Sequence, residues 1–234
     1  MAKDSTSINR RSESTRRLVV AAMLSAITAL LTFTPIGMIQ LPPPLPAVTM
    51  VHIPVMLAVL SEGFGVGMLV SLVFGVCSFI RAWESGMVGL TIFFRDPRVS
   101  ILPRLFIPIV AFGIYLLWRK GTGKWLAKHP GWDKIGVGIA AACGTLTNTA
   151  GCLGMILLAH GQELQDLVTN MVTTGDVAGD YTNQAAGWLV AVVGLPNGIA
   201  EIIVAVVMVP ILKTAVDAVN RRSSRSRITK EHKR

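Results

Sequence analysis

The chain has 234 residues, 52% of them hydrophobic and only 15% charged, with a formal net charge of +9. So little charge does not cover an ordinary globular surface, which excludes a soluble fold. The basic residues flank apolar runs and fill the Arg221 to Arg234 tail without interleaved aromatics, so they read as anchors at anionic lipid and not as a nucleic-acid surface.

From the amino terminus, residues 1–17 are polar and basic and are expected to be disordered and cytoplasmic. Apolar runs then follow at Leu18 to Met38, Val48 to Leu60, Phe64 to Ile80, Val99 to Trp118, Ile135 to Ala159 and Ala185 to Leu212. The first is too long for a signal peptide and lacks its small-residue cleavage site, so it reads as a true span. The expectation is an all-α membrane protein, a six-transmembrane-helix bundle over residues 18–219 with a basic cytoplasmic tail over 220–234. Six spans put both termini on one side. That side carries 18 of the 22 basic residues, against Arg81, Arg95, Arg98 and Arg104 on the other, which makes the terminal side cytoplasmic.

The spans are unequal. At ~1.5 Å per residue the second covers about 20 Å of a hydrocarbon core of ~30 Å, so it is expected to tilt into protein or sit in thinned bilayer. The last two are longer than needed, and Pro196 and Pro210 allow the sixth to kink. Ala22 and Ala26 in the first span, and Gly63, Gly67, Ser71 and Gly75 at the third, recur at four-residue intervals that let backbones approach closely. The glycine ridge is expected to pack inside the chain, whereas the alanine ridge serves equally well for contact with another molecule.

Polar residues at membrane depth are the sharper clue. Thr145, Thr147, Asn148 and Thr149 lie mid-helix in the fifth span, where Gly144, Asn148 and Gly151 share a face. In the sixth, Asn197 and Glu201 are one turn apart, and His52 alone among the four histidines lies inside an apolar run. Such groups are costly in a bilayer unless they face a cavity or one another, so the choice is between a ligand site and hydrogen bonds from Asn148 to Asn197 or Glu201.

On the outward side, Gln40 to Pro46 is a proline-stiffened loop. Trp83, Glu84, Phe93, Phe94, Arg95, Asp96 and Arg98 follow between the third and fourth spans, and Arg104 begins the fourth. The aromatics fit an interfacial belt. The arginines run against the charge bias and fit either pairing with Asp96 or Glu84 or capture of a substrate carboxylate.

Catalytic motifs do not emerge. Gly121-Thr122-Gly123-Lys124 is a fragment of a phosphate loop, with Trp118 where the earlier glycine belongs, and reads as a cytoplasmic turn. Cys77, Cys143 and Cys152 lie in apolar runs without the spacing of a zinc site, and neither a His-Glu metal motif nor a nucleophile elbow is present. The chain is therefore expected to be non-catalytic and cofactor-free, with any energy for transport supplied by a partner or an ion gradient.

Taken together, Ala22 and Ala26, Pro42-Pro43-Pro44, Val51-His52-Ile53-Pro54-Val55, Gly63-Phe64-Gly65-Val66-Gly67, Phe93 to Val99, Ile101-Leu102-Pro103-Arg104 and Leu195-Pro196-Asn197-Gly198-Ile199 carry a resemblance. From about Arg17 to Val219 the chain resembles the substrate-binding S component of energy-coupling factor (ECF) vitamin transporters, an ABC-type importer family, and within it the pantothenate-type branch. The resemblance implies a six-helix cell-membrane subunit that captures a vitamin from outside, under a lid formed by the loop after the first helix. It also implies a transmembrane coupling (T) subunit, contacted through Ala22 and Ala26, and two cytoplasmic ATPase subunits that drive a toppling of the whole chain.

Aromatics make up only 6% of the residues, which favours a small aliphatic vitamin over a stacked ring. Pantothenate offers a carboxylate for Arg95, Arg98 or Arg104, and hydroxyls and an amide for His52, Asn148 and Asn197. Gln40 in the lid, Trp83, Trp188 and Glu201 complete the candidate contacts. Riboflavin is the alternative, stacked on Trp83, Phe93, Phe94 and Trp188. Glu201 is expected to be protonated, paired or turned away from an anionic ligand. Two other classes compete: a proton-coupled solute carrier relaying through Glu201 or His52, and a membrane scaffold with no ligand.

Overall fold

Neither Gly nor Pro interrupts the chain between Ala2 and Thr34, and a single long helix follows. In the computed structural model, which describes residues 2–39, 48–84, 89–126, 128–175, 181 and 183–231, α1 runs Ala2–Phe33. Its apolar part is Glu13–Phe33. Pro35 disfavours helix at Thr34 and starts a 3₁₀ turn, Pro35–Gly37. Two short strands then pair antiparallel, β1 (Met38–Ile39) with β2 (Val48–Thr49), Met38 opposite Thr49 and Ile39 opposite Val48. The loop between them, with Gln40 and the three prolines, lies outside the described residues.

The short second run becomes α2, His52–Glu62, about 16 Å long. Apolar on every face, it is buried at all positions but Ser61 and packs against α1 and four helices further along the chain. A helix so enclosed in protein need not match the bilayer thickness. It ends at Gly63, whose φ of +99° lies in the region open to glycine, and the chain re-enters helix at once.

Helix α3, Phe64–Arg81, carries the glycine ridge, and the ridge packs inside the chain as expected. A Cβ on Gly67 would collide with Val59 of α2, and one on Gly75 would lie 3.0 Å from Ile101 Cα. Between them the Ser71 hydroxyl donates to the Arg104 carbonyl. A 3₁₀ segment, Gly89–Arg95, leads to α4, Pro97–Ser100, capped by the Asp96 carboxylate accepting from the Arg98 amide.

Helix α5 runs Leu102–Leu126 and α6 runs Asp133–Thr173, bent at His160, where φ is −132° and ψ 30°. The expected cytoplasmic turn at Gly121 to Lys124 is instead a continuation of α5; helix propagates through both glycines from the turns before them. The last run opens with α7, Ala185–Trp188, widens into a π-helical stretch, Leu189–Gly194, just before Pro196, and continues as α8, Leu195–Glu231.

Among the described residues five helical segments are long and apolar enough to cross a membrane, with α2 as a shorter apolar helix. Helices also extend through the segments whose composition reads as disordered amino terminus and basic tail, α1 beginning at Ala2 and α8 ending at Glu231. Arg16 donates to Asn220 Oδ1 at 3.1 Å, so the two terminal segments leave the bundle at the same end.

Candidate functional site

A layer of polar side chains crosses this apolar bundle. Its centre is Glu201 of α8, only 4% exposed. Thr49 of β2 donates to Oε1 twice, from its backbone amide at 2.9 Å and its hydroxyl at 2.6 Å, and the Thr149 hydroxyl donates to Oε2 at 3.0 Å. Three donors offset the cost of holding a carboxylate away from water, and they tie the end of the β1–β2 loop to α6 and α8.

His52 opens α2 beside this carboxylate and is fully buried, with the Glu201 charge and the Thr49 backbone as its electrostatic neighbours. Neither ring nitrogen makes a well-formed hydrogen bond to the described residues. On α6 the shared face of Gly144, Asn148 and Gly151 has a packing reason. Gly144 accommodates the Met56 side chain and Gly151 meets Pro103, so Asn148 is brought between α2 and α5. Its carbonyl oxygen accepts a long contact of 3.8 Å from the Cys152 thiol. On the α8 side Gly198 admits Thr149, and Asn197 is buried with its Oδ1 unpartnered among the described residues.

Arg104 supplies the cation. Its guanidinium lies 5.3 Å from the Phe74 ring centroid and 4.8 Å from that of Phe94, and donates to the Val99 carbonyl at 2.6 Å. Nε is buried without a hydrogen-bond partner among the described residues, and none of the described carboxylates forms an ion pair with the group. Cys152 feels the charge of both Arg104 and Glu201, which places cation and anion around one segment of α6.

Of the residues the sequence nominates, His52, Arg104, Asn148, Asn197 and Glu201 therefore belong to one layer. Trp188 is 2% exposed in a second apolar cluster with Phe93, Val99 and Ile156, which meets Arg104 through Val99 and Phe94, and its indole N–H is unpartnered among the described residues. Trp83 is 62% exposed and carries the Arg95 guanidinium 5.2 Å above its ring, while Arg95 Nε donates to the Ala82 carbonyl. These two cap the end of α3. Arg98 is exposed. Asp96 meets His160 Nε2 at 3.2 Å rather than an arginine, and Glu163 takes the other ring nitrogen at 2.8 Å. Gln40 lies outside the described residues.

Thr49, Thr149 and Cys152 are the members that sequence reasoning missed. The mid-helix threonines gave a signal for Thr149; Thr49 sits in a loop and gave none. No group of three or more metal-binding side chains occurs among the described residues.

Membrane-length helices surrounding buried charges and amides define a multi-pass membrane protein with an internal polar site. Residues 16–213 match the family model described as ECF transporter, substrate-specific component, and the chain belongs to that family. It is thus a substrate-binding subunit of a membrane transporter. No curated protein matches the chain.

Proposed function

We propose that the chain captures pantothenate outside the cell and delivers it inward when docked on a transmembrane coupling subunit powered by two ATPase subunits. Its termini then face the cytoplasm, as the distribution of 18 of 22 basic residues favours.

The observation that carries the reading is Arg104: a buried guanidinium clamped by two rings, without a carboxylate partner, in the layer that holds Asn148, Asn197 and His52. A ligand carboxylate completes Arg104 by a charge-assisted bond, and ligand hydroxyls donate to Asn197 Oδ1 or to an imidazole nitrogen. Glu201 is already occupied by Thr49 and Thr149, which lowers its demand on an anionic ligand. Of the aromatics that riboflavin would need, Phe93, Phe94 and Trp188 share the second apolar cluster, Phe94 lying also against Arg104 and Phe93 against His160, while Trp83 stands under Arg95. With aromatics only 6% of the residues and these rings already packed in that cluster or on arginines, the aliphatic vitamin is favoured.

The test is equilibrium binding of labelled pantothenate to the purified, detergent-solubilised chain, with unlabelled riboflavin as competitor. Saturable nanomolar-range binding that riboflavin leaves untouched supports the assignment, and folded protein that ignores pantothenate removes it. The closeness of His52 and Glu201 favours one second reading, a proton-coupled carrier. Uptake that collapses with an uncoupler but survives loss of the ATPase subunits identifies that case.

A further inference from the structure

At the terminal end of the bundle α6 and α8 separate along an open apolar groove of about 450 Å³. Ile135, Gly138, Ile139 and Ala142 form one wall and Val206 and Pro210 the other, with Lys134 at one end. Gly138 is what makes it a trough: a Cβ there would touch Val206 and Pro210 at 3.7 and 4.0 Å, so a longer side chain would fill the space.

The position of the groove says what surrounds it. From Lys134 to Ala142 it runs about 12 Å along a membrane-length helix, the reach from headgroup level into hydrocarbon. Just before Lys134, Trp132 stacks edge-on against Trp125 at 4.2 Å, both rings partly exposed, as interfacial tryptophans are.

Charge says which lipid. The stretch from Arg119 to Lys134 holds five basic residues and a single acid, Asp133. Asp133 accepts from the Tyr115 hydroxyl at 3.0 Å, and nearby Lys213 is bonded to Asp217 at 2.7 Å. Lys134 is exposed and has no ion-pair partner among the described residues. A net-anionic headgroup satisfies it where a zwitterionic one brings its own cation into a basic neighbourhood.

We propose that this groove seats one anionic phospholipid, its acyl chain along Gly138 and its phosphate on Lys134, in the leaflet on the side of the chain termini. The site is independent of the vitamin layer and stands or falls without it.

The test reconstitutes the full chain in nanodiscs of equal phosphatidylglycerol and phosphatidylcholine and weighs the lipid it retains by native mass spectrometry. The expected result is about fivefold enrichment of phosphatidylglycerol, the size of one lysine at an anionic surface. Lys134→Gln brings the two lipids to near parity, and Gly138→Leu expels the retained lipid with helix content unchanged. Should Gly138→Leu fail to fold, the exposed Lys134→Gln carries the test alone. Equal retention by the native chain, enrichment that Lys134→Gln leaves intact, or a lipid-free dimer in the native spectrum overturns the proposal.

Discussion

Arg16 and Glu62, 46 positions apart, form a two-pronged ion pair: Nη1 donates to Oε1 at 2.9 Å and Nη2 to Oε2 at 2.7 Å. The Glu62 side chain is only 1% exposed and stands at the last turn of α2, where the helix dipole disfavours an anion. Arg16 offsets that and, through Asn220, joins α1, α2 and α8. Arg16→Gln therefore strands a buried carboxylate, at a cost of about 2 kcal/mol. Adding Glu62→Gln removes the stranded charge and recovers most of the loss. Thermal unfolding of the four combinations in detergent reads the coupling. Additive single effects would show that the pair contributes nothing.

Glu201 holds the end of the β1–β2 loop more than it faces outward for ligand, because three donors already converge on its two oxygens. Glu201→Ala leaves the Thr49 amide without its acceptor and is expected to lower both the unfolding temperature and vitamin affinity. Glu201→Gln keeps a carbonyl for Thr49 and removes a negative charge, so affinity for an anionic vitamin should hold or rise. Binding isotherms of the two variants decide it: equal losses from both would make the negative charge itself the contact.

Much of the bundle was legible in the apolar runs; the short second run left thinned bilayer and enclosure in protein both open, and α2 is the enclosed helix. Local signals misled where a long helix carried through them: Gly121 to Lys124 has turn composition, yet α5 continues to Leu126. The polar layer was half legible. Sequence spacing left Asn148 either to a ligand site or to hydrogen bonds with Asn197 or Glu201, whereas Glu201 takes the next residue, Thr149. Neighbouring positions on a helix point about 100° apart, and the rotation of α6 is set by Gly144 on Met56 and Gly151 on Pro103, which no period in one chain reveals. Thr49, 152 positions from Glu201, was beyond any local pattern.

The outer face of α1 is uncovered at both alanines, with Leu18 70%, Met23 60% and Leu30 55% exposed around them. Small residues on such a face suit close contact with a partner helix in a bilayer. Ala22→Trp together with Ala26→Trp should abolish copurification with the coupling subunit and leave vitamin binding by the isolated chain intact. Unchanged copurification would remove this face from the interface; loss of binding as well would mean that the ridge supports the bundle itself.

Arg104 is where position and chemistry are hardest to exchange. Its flat guanidinium lies between Phe74 and Phe94 while one arm holds the Val99 carbonyl, an arrangement that a lysine ammonium does not reproduce. Arg104→Lys keeps the charge but loses the planar fork, and is expected to weaken pantothenate binding by about tenfold to a hundredfold. Arg104→Gln should do worse, since it removes the positive charge as well as the fork. The discriminating ligand is the primary amide of pantothenate, which lacks the anion. If Arg104 binds the carboxylate, the native chain prefers the acid and Arg104→Gln erases the preference. If Arg104 only braces α4 against α3, both ligands lose affinity in parallel and the ratio stays unchanged.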